Sequence, residues 1–163
     1  MKKITNQLSR EAVAVKVQLQ EFNQNRRMIR NLLAEKKMLM DMCDMLKSSG
    51  SIMSDGGETF SKQEQLLFRL ENINAKISDL LTKTANTESI LLSAMDTLTP
   101  TEYNMLWERY AVGKNIAQLC KEFYYSDRWL HKRYNQLFNK LIPYVLKEEK
   151  FNEEIKSLEL EAK

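Results

Sequence analysis

Between residues 66 and 98, apolar or small side chains recur at Leu66, Leu70, Ile73, Ile77, Leu80, Thr84, Thr87, Leu91, Ala94 and Leu98, stepping by four and three residues in turn. Heptad spacing gathers all of them on one narrow stripe of an α-helix and would scatter them over both faces of a strand. A second run, Leu8, Ala12, Val15, Leu19, Phe22, Arg26, Ile29 and Leu33, has the same rhythm with one charged interruption, and continues less strictly through Met40, Cys43 and Leu46. Four Gly and two Pro among 163 residues are too few turn formers for a sandwich or barrel. The expected fold class is all-α.

The two seams are separated by Ser48-Ser49-Gly50-Ser51 and Asp55-Gly56-Gly57, which hold three of the four glycines. This reads as a flexible joint at about 48–60, and Ser61 with Glu64 has the capping-box pattern of a new helix. Residues 1–97 are therefore expected to form a long, coiled-coil-like helical hairpin. A narrow stripe needs a partner, supplied by the neighbouring helix, another subunit, or both. If it oligomerises, Leu19, Phe22, Ile29, Leu66, Leu70, Ile73, Ile77 and Leu80 carry the contact, with a homodimer favoured. Otherwise the same residues make a packing arm within one chain. Met38, Met40, Met42 and Met45 either fill core or offer an adaptable binding surface.

Several function classes are poorly supplied. One His, and two Cys 77 positions apart (Cys43 and Cys120), do not make a zinc or disulfide framework. No P-loop, Gly-rich phosphate cradle or nucleophile–base constellation is present, and Glu148-Glu149 and Glu153-Glu154 lack a second acidic cluster. No enzymatic activity, cofactor or metal is expected. No apolar run approaches a membrane span and no signal-peptide core follows Met1-Lys2-Lys3, so the expected location is the cytoplasm.

Charge comes in blocks: net +5 over 1–47, −3 over 48–97, +3 over 98–142 and −2 over 143–163. The second basic block opens with Thr99-Pro100-Thr101-Glu102, a cap residue, proline at the first helical position and an acid at the third. This helix should stop at Gly113. Asn115 with Gln118 opens a second short helix, Tyr124-Tyr125-Ser126 makes a tight connection, and Ser126 caps a third helix with apolar Leu130, Tyr134, Leu137, Phe138 and Leu141. Pro143 should break or kink the chain before a charged C-terminal helix or tail over 143–163.

Short helix, turn and a longer basic helix make the helix-turn-helix pattern, expected over 98–142. With its apolar set facing inward, the third helix turns Asp127, Arg128, His131, Lys132, Asn135 and Gln136 outward, a stripe suited to a major groove about 12 Å wide. Arg128 and Lys132 suit guanine O6/N7, Asn135 or Gln136 adenine N6/N7, and Asp127 cytosine N4. Ser126 and the helix N-terminus suit a phosphate, and Lys121, Arg133 and Lys140 flank the groove. The same stripe is also what an ordinary solvated face looks like. Trp129, at its edge, either packs on the supporting helix or touches DNA.

The stretches LTPTEYNMLWERYAVG, NIAQLCKEF and YYSDRWLHKRYNQLFNKL resemble region 4 of bacterial sigma factors, and more specifically phage late-gene transcription regulators of the ArpU/RinA type. Arg109-Tyr110 before Gly113, Ser126, Leu130 and Lys140-Leu141 match the family pattern. The chain departs from it at Arg133 (usually aliphatic), Leu137 (usually Ala) and Tyr124 (usually small). The resemblance covers about 44 residues and implies base reading by Asp127, Arg128, His131 and Lys132. It implies a sequence-specific regulator of double-stranded DNA that acts as a homo-oligomer in phage or prophage late-gene control. Three other readings stay open: a small terminase-like packaging subunit, a sigma-like module gripping RNA polymerase, and a plain coiled-coil scaffold.

Overall fold

The computed structural model describes residues 8–48, 56–94 and 96–161, with side chains described outside 56–61, 146–156 and 159. Five α-helices follow in order: α1 (Arg10–Ser48), α2 (Gly56–Ser93), α3 (Pro100–Trp107), α4 (Ile116–Phe123) and α5 (Asp127–Glu161), with a π-helical segment (Glu108–Val112) directly after α3. No described residue lies in a strand, and no helix among them is long and apolar enough to cross a membrane.

The chain divides into two compact units, and α1 and α2 each contribute to both. The unit of residues 24–85 is built on one seam. Leu39, Leu66, Ile73 and Ile77 are buried in one cluster, with Leu32, Cys43, Leu46 and Leu70 packed against it, and Ile29 and Leu80 are also buried. The α2 stripe therefore buries the residues its spacing selects. On α1 the seam slips by one residue: after Ile29 it passes through Leu32 and Leu39, while Leu33 and Met40 are 48% and 49% exposed. The slip follows Arg26, where no apolar side chain holds the phase, and the stripe takes up the Leu32–Leu39–Leu46 face. An exposed Arg69–Glu35 ion pair at 3.2 Å links the two segments and adds little to stability.

The second unit comprises 1–23 and 86–163. Ser9 starts α1, its hydroxyl accepting the Ala12 N–H at 3.1 Å. Ala12, Val15, Leu19 and Phe22 then enter one core with Ile90, Leu91 and Ala94 of the α2 end and with the buried faces of α3, α4 and α5. The beginning of α1 is thus part of the same hydrophobic core as the basic C-terminal helices, and the boundary expected near residue 97 does not separate them.

Two expected boundaries move. Helix α2 begins at Gly56, so Gly56 and Gly57 sit in its first turn and not in the joint, of which 49–55 lie outside the described residues. Ser61 falls five residues inside α2, and its side chain is outside the described set. Pro143 does not end α5, which continues to Glu161. A proline removes one N–H donor, here to the carbonyl of exposed Asn139, which water can satisfy. Leu141 and Val145, buried on either side, hold the helix in register. Leu158 and Leu160 further along are exposed, and Leu146, Phe151 and Ile155 have side chains outside the described set.

Candidate nucleic-acid interface

Helix α3 starts where its sequence requires. The Thr99 hydroxyl accepts the Glu102 N–H at 3.3 Å, and the Glu102 carboxylate accepts the Thr99 N–H at 3.1 Å, with Pro100 at the first helical position. The π-helical turn that follows places Tyr110 and Ala111 in the core, and Gly113 closes it with φ 89°, a conformation that suits glycine. Asn115 and Gln118 then cap α4 reciprocally, each side chain bonded to the other's backbone N–H at 2.9 Å. The Lys114 ammonium donates to Glu108 and Glu122, and these two hydrogen bonds raise its pKa.

Between α4 and α5, Tyr124 adopts φ 57° and ψ 35°, left-handed in a residue with a Cβ. Ser126 caps α5, its hydroxyl accepting the Trp129 N–H at 3.2 Å. In its first half α5 buries the expected apolar positions: Leu130, Tyr134, Leu137, Phe138 and Leu141 are all buried. Tyr134 packs edge-on against Tyr110, with ring centroids 6.3 Å apart, and its hydroxyl donates to the Met105 carbonyl at 2.8 Å. Burial pushes the Tyr134 phenol well above its ordinary range. Arg109 lies over both rings, 5.6 Å from the Tyr110 centroid and 5.4 Å from that of Tyr134.

The opposite face carries the expected side chains. Ser126, Asp127, Arg128, His131, Lys132 and Gln136 are exposed and Asn135 is half-buried. His131 Nε2 lies 3.0 Å from Asp127 Oδ1 across one exposed turn. Arg133 departs from the expected set. Its guanidinium donates to Glu102 and to Gln136 Oε1, and so points toward α3. Lys140, expected to flank the groove, donates to both Glu102 oxygens at 2.8 and 3.0 Å. Both cations are committed to a carboxylate that is 2% exposed.

Glu102 is the residue that sequence reasoning saw only in part. Its spacing from Thr99 marks the cap, but nothing local announces that the same carboxylate gathers cations 31 and 38 positions later. Burial alone would raise its pKa. Hydrogen bonds from Lys140 and the Thr99 N–H, with the charges of Lys140 and Arg133, outweigh this and hold the carboxyl below its ordinary value. Trp129 stacks on Tyr125 of the turn, with ring centroids 3.8 Å apart and planes 19° from parallel, and both rings remain partly exposed. The eight seam residues assigned to oligomerisation, Leu19, Phe22, Ile29, Leu66, Leu70, Ile73, Ile77 and Leu80, are all covered or half-covered by the chain itself.

Comparison with family models, characterised proteins and solved structures returns no match.

Proposed function

We propose that the chain is a sequence-specific, double-stranded-DNA-binding transcription regulator whose α4–turn–α5 segment works as a helix-turn-helix. The observation that carries this reading is the division of the first turns of α5. Leu130, Tyr134, Leu137, Phe138 and Leu141 are buried in one core with α3, α4 and the π-helical segment, while Arg128, His131 and Lys132 project outward beside a capped helix N-terminus. A groove-reading helix needs that division: one face fixes the helix to its supports, and the other offers donors to base edges. The resemblance to phage late-gene regulators of the ArpU/RinA type supplies the biological setting.

Twofold operators require two modules, so we extend the proposal to a homo-oligomer. Because the heptad seam is occupied within the chain, self-association falls to outward apolar residues of α1 and α2 such as Leu33, Met40, Leu67 and Phe68.

The test is selection of bound duplexes from a random library at stated salt, followed by titration of Arg128→Ala and Lys132→Ala. Each is expected to weaken the selected site by about 1–3 kcal/mol with an unchanged helical circular dichroism spectrum. Wild-type affinity in both variants would reject the assignment of α5 as the reading helix.

A further inference from the structure

Tyr124 closes α4 in the left-handed conformation that commonly ends a helix, a place where glycine is usual and tyrosine is not. A left-handed backbone suits glycine and is costly for a residue with a Cβ, yet a tyrosine occupies it. Its side chain is 93% exposed, so no core packing compensates. Helix termination calls for the conformation but not for tyrosine, and a strained backbone kept with a large exposed side chain is a feature of binding sites.

The surroundings say what it would bind. In sequence, Tyr124 follows exposed Lys121 of α4 by three residues and precedes exposed Arg128, on the outward face of α5, by four. The next residue, Tyr125, stacks on Trp129 and braces the turn against the first turn of α5. One tyrosine is thus held by a ring contact, and the other is left exposed. A turn that precedes a groove-reading helix lies over the groove's edge, where the neighbour is the sugar–phosphate strand and not a base.

We propose that Tyr124 is a duplex-anchoring residue whose phenolic hydroxyl donates to a backbone phosphate at the edge of the groove entered by α5. This rests on the DNA-reading assignment above. It adds a sequence-independent contact that sets how α5 is seated, and it gives the unfavourable backbone a purpose. Tyr124→Phe removes only the donor, and Tyr124→Gly also relieves the backbone.

The full chain is titrated with two short labelled duplexes, one enriched from a random library by wild type and one of shuffled sequence. Tyr124→Phe is expected to weaken both about tenfold, as loss of a hydrogen bond to a charged group should. The slope of log affinity against log salt is expected to stay unchanged, because a neutral donor releases no counterion. Tyr124→Gly should show the same loss with a Tm equal to or above wild type. That combination separates a binding residue from a structural one. Arg128→Ala, run beside them, should lose the selected duplex more than the shuffled one.

If Arg128→Ala loses the selected site while both Tyr124 variants keep wild-type affinity, the anchoring role is wrong and the DNA-reading assignment stands. Anchoring fails equally if Tyr124→Phe binds normally and only the glycine variant weakens, since the hydroxyl is then idle. A lowered Tm in Tyr124→Gly would overturn the argument from strain. If Arg128→Ala, Lys132→Ala and both Tyr124 variants all bind as wild type does, both ideas fail together.

Discussion

Replacing Glu102 tests the arrangement that ties the proposed reading helix to its support. Its carboxylate is almost completely buried and accepts from the Thr99 N–H, Arg133 and Lys140. Breaking a buried charge pair from one side destabilises by roughly 3–5 kcal/mol, because a cation is left without a counter-charge. Here the cations are 33% and 42% exposed and can rehydrate, which lowers that figure. Loss of the cap contact adds back about 0.5–1 kcal/mol. Glu102→Ala is therefore expected to cost about 3 kcal/mol and Glu102→Gln about 2, with a fall in Tm of roughly 6–12 °C for the alanine variant. The pH dependence has a definite sign. A carboxyl with a depressed folded-state pKa contributes stability fully above its ordinary value of 4.5, and that contribution disappears as pH falls through the folded-state value. The wild-type advantage over Glu102→Gln should thus be constant near neutrality and vanish in acid. Tryptophan fluorescence during urea unfolding is the assay, since Trp107 and Trp129 both belong to the unit that contains Glu102. A glutamine variant within about 0.5 kcal/mol of wild type at neutral pH would refute the reasoning, and so would a gap that persists undiminished in acid.

Two further expectations follow from buried geometry and helix continuity. Tyr134→Phe leaves the Met105 carbonyl without its side-chain donor and should lower stability by about 1–2 kcal/mol at unchanged urea slope; an unaltered midpoint would show that the bond contributes nothing net. Pro143→Ala restores a backbone donor in the exposed interior of α5 and should raise stability by about 1–3 kcal/mol, read as a higher Tm. A destabilised alanine variant would mean that the helix depends on a bend the proline supplies.

Much of the fold is legible in the chain because the informative signals are local. The 4-3 spacing of Leu66 to Leu98 selects the stripe that α2 buries, and the Thr99/Glu102 and Asn115/Gln118 pairs mark the starts of α3 and α4 through hydrogen bonds spanning three residues. What was not legible depends on partners distant in sequence. The α1 stripe prefers Leu32 to Leu33, a choice made by the facing helix segment and not by α1 alone. Proline's local penalty at 143 is overridden by the anchors Leu141 and Val145. Placing Arg133 on the reading face followed from its position and charge, but a buried carboxylate on another helix takes it away. The left-handed turn at Tyr124 had no glycine to announce it.

The division of cations along α5 connects the stability of this region to its proposed recognition. Arg133 and Lys140 lie seven residues apart, two turns along one side of the helix, and Glu102 engages both. Arg128 and Lys132 lie one turn apart on the exposed face. The single charge of Glu102 offsets one of the two positive charges of the first pair, which weakens the positive field there relative to the second pair and shifts the electrostatic attraction to phosphate toward where α5 would enter a groove. The same clamp fixes the rotation of α5 about its axis, because a turned helix would lose both Glu102 contacts and the packing of Leu130 and Leu137 at once. A base-reading helix needs that fixed rotation more than it needs added charge: bidentate contacts discriminate only when each side chain meets its base edge in register.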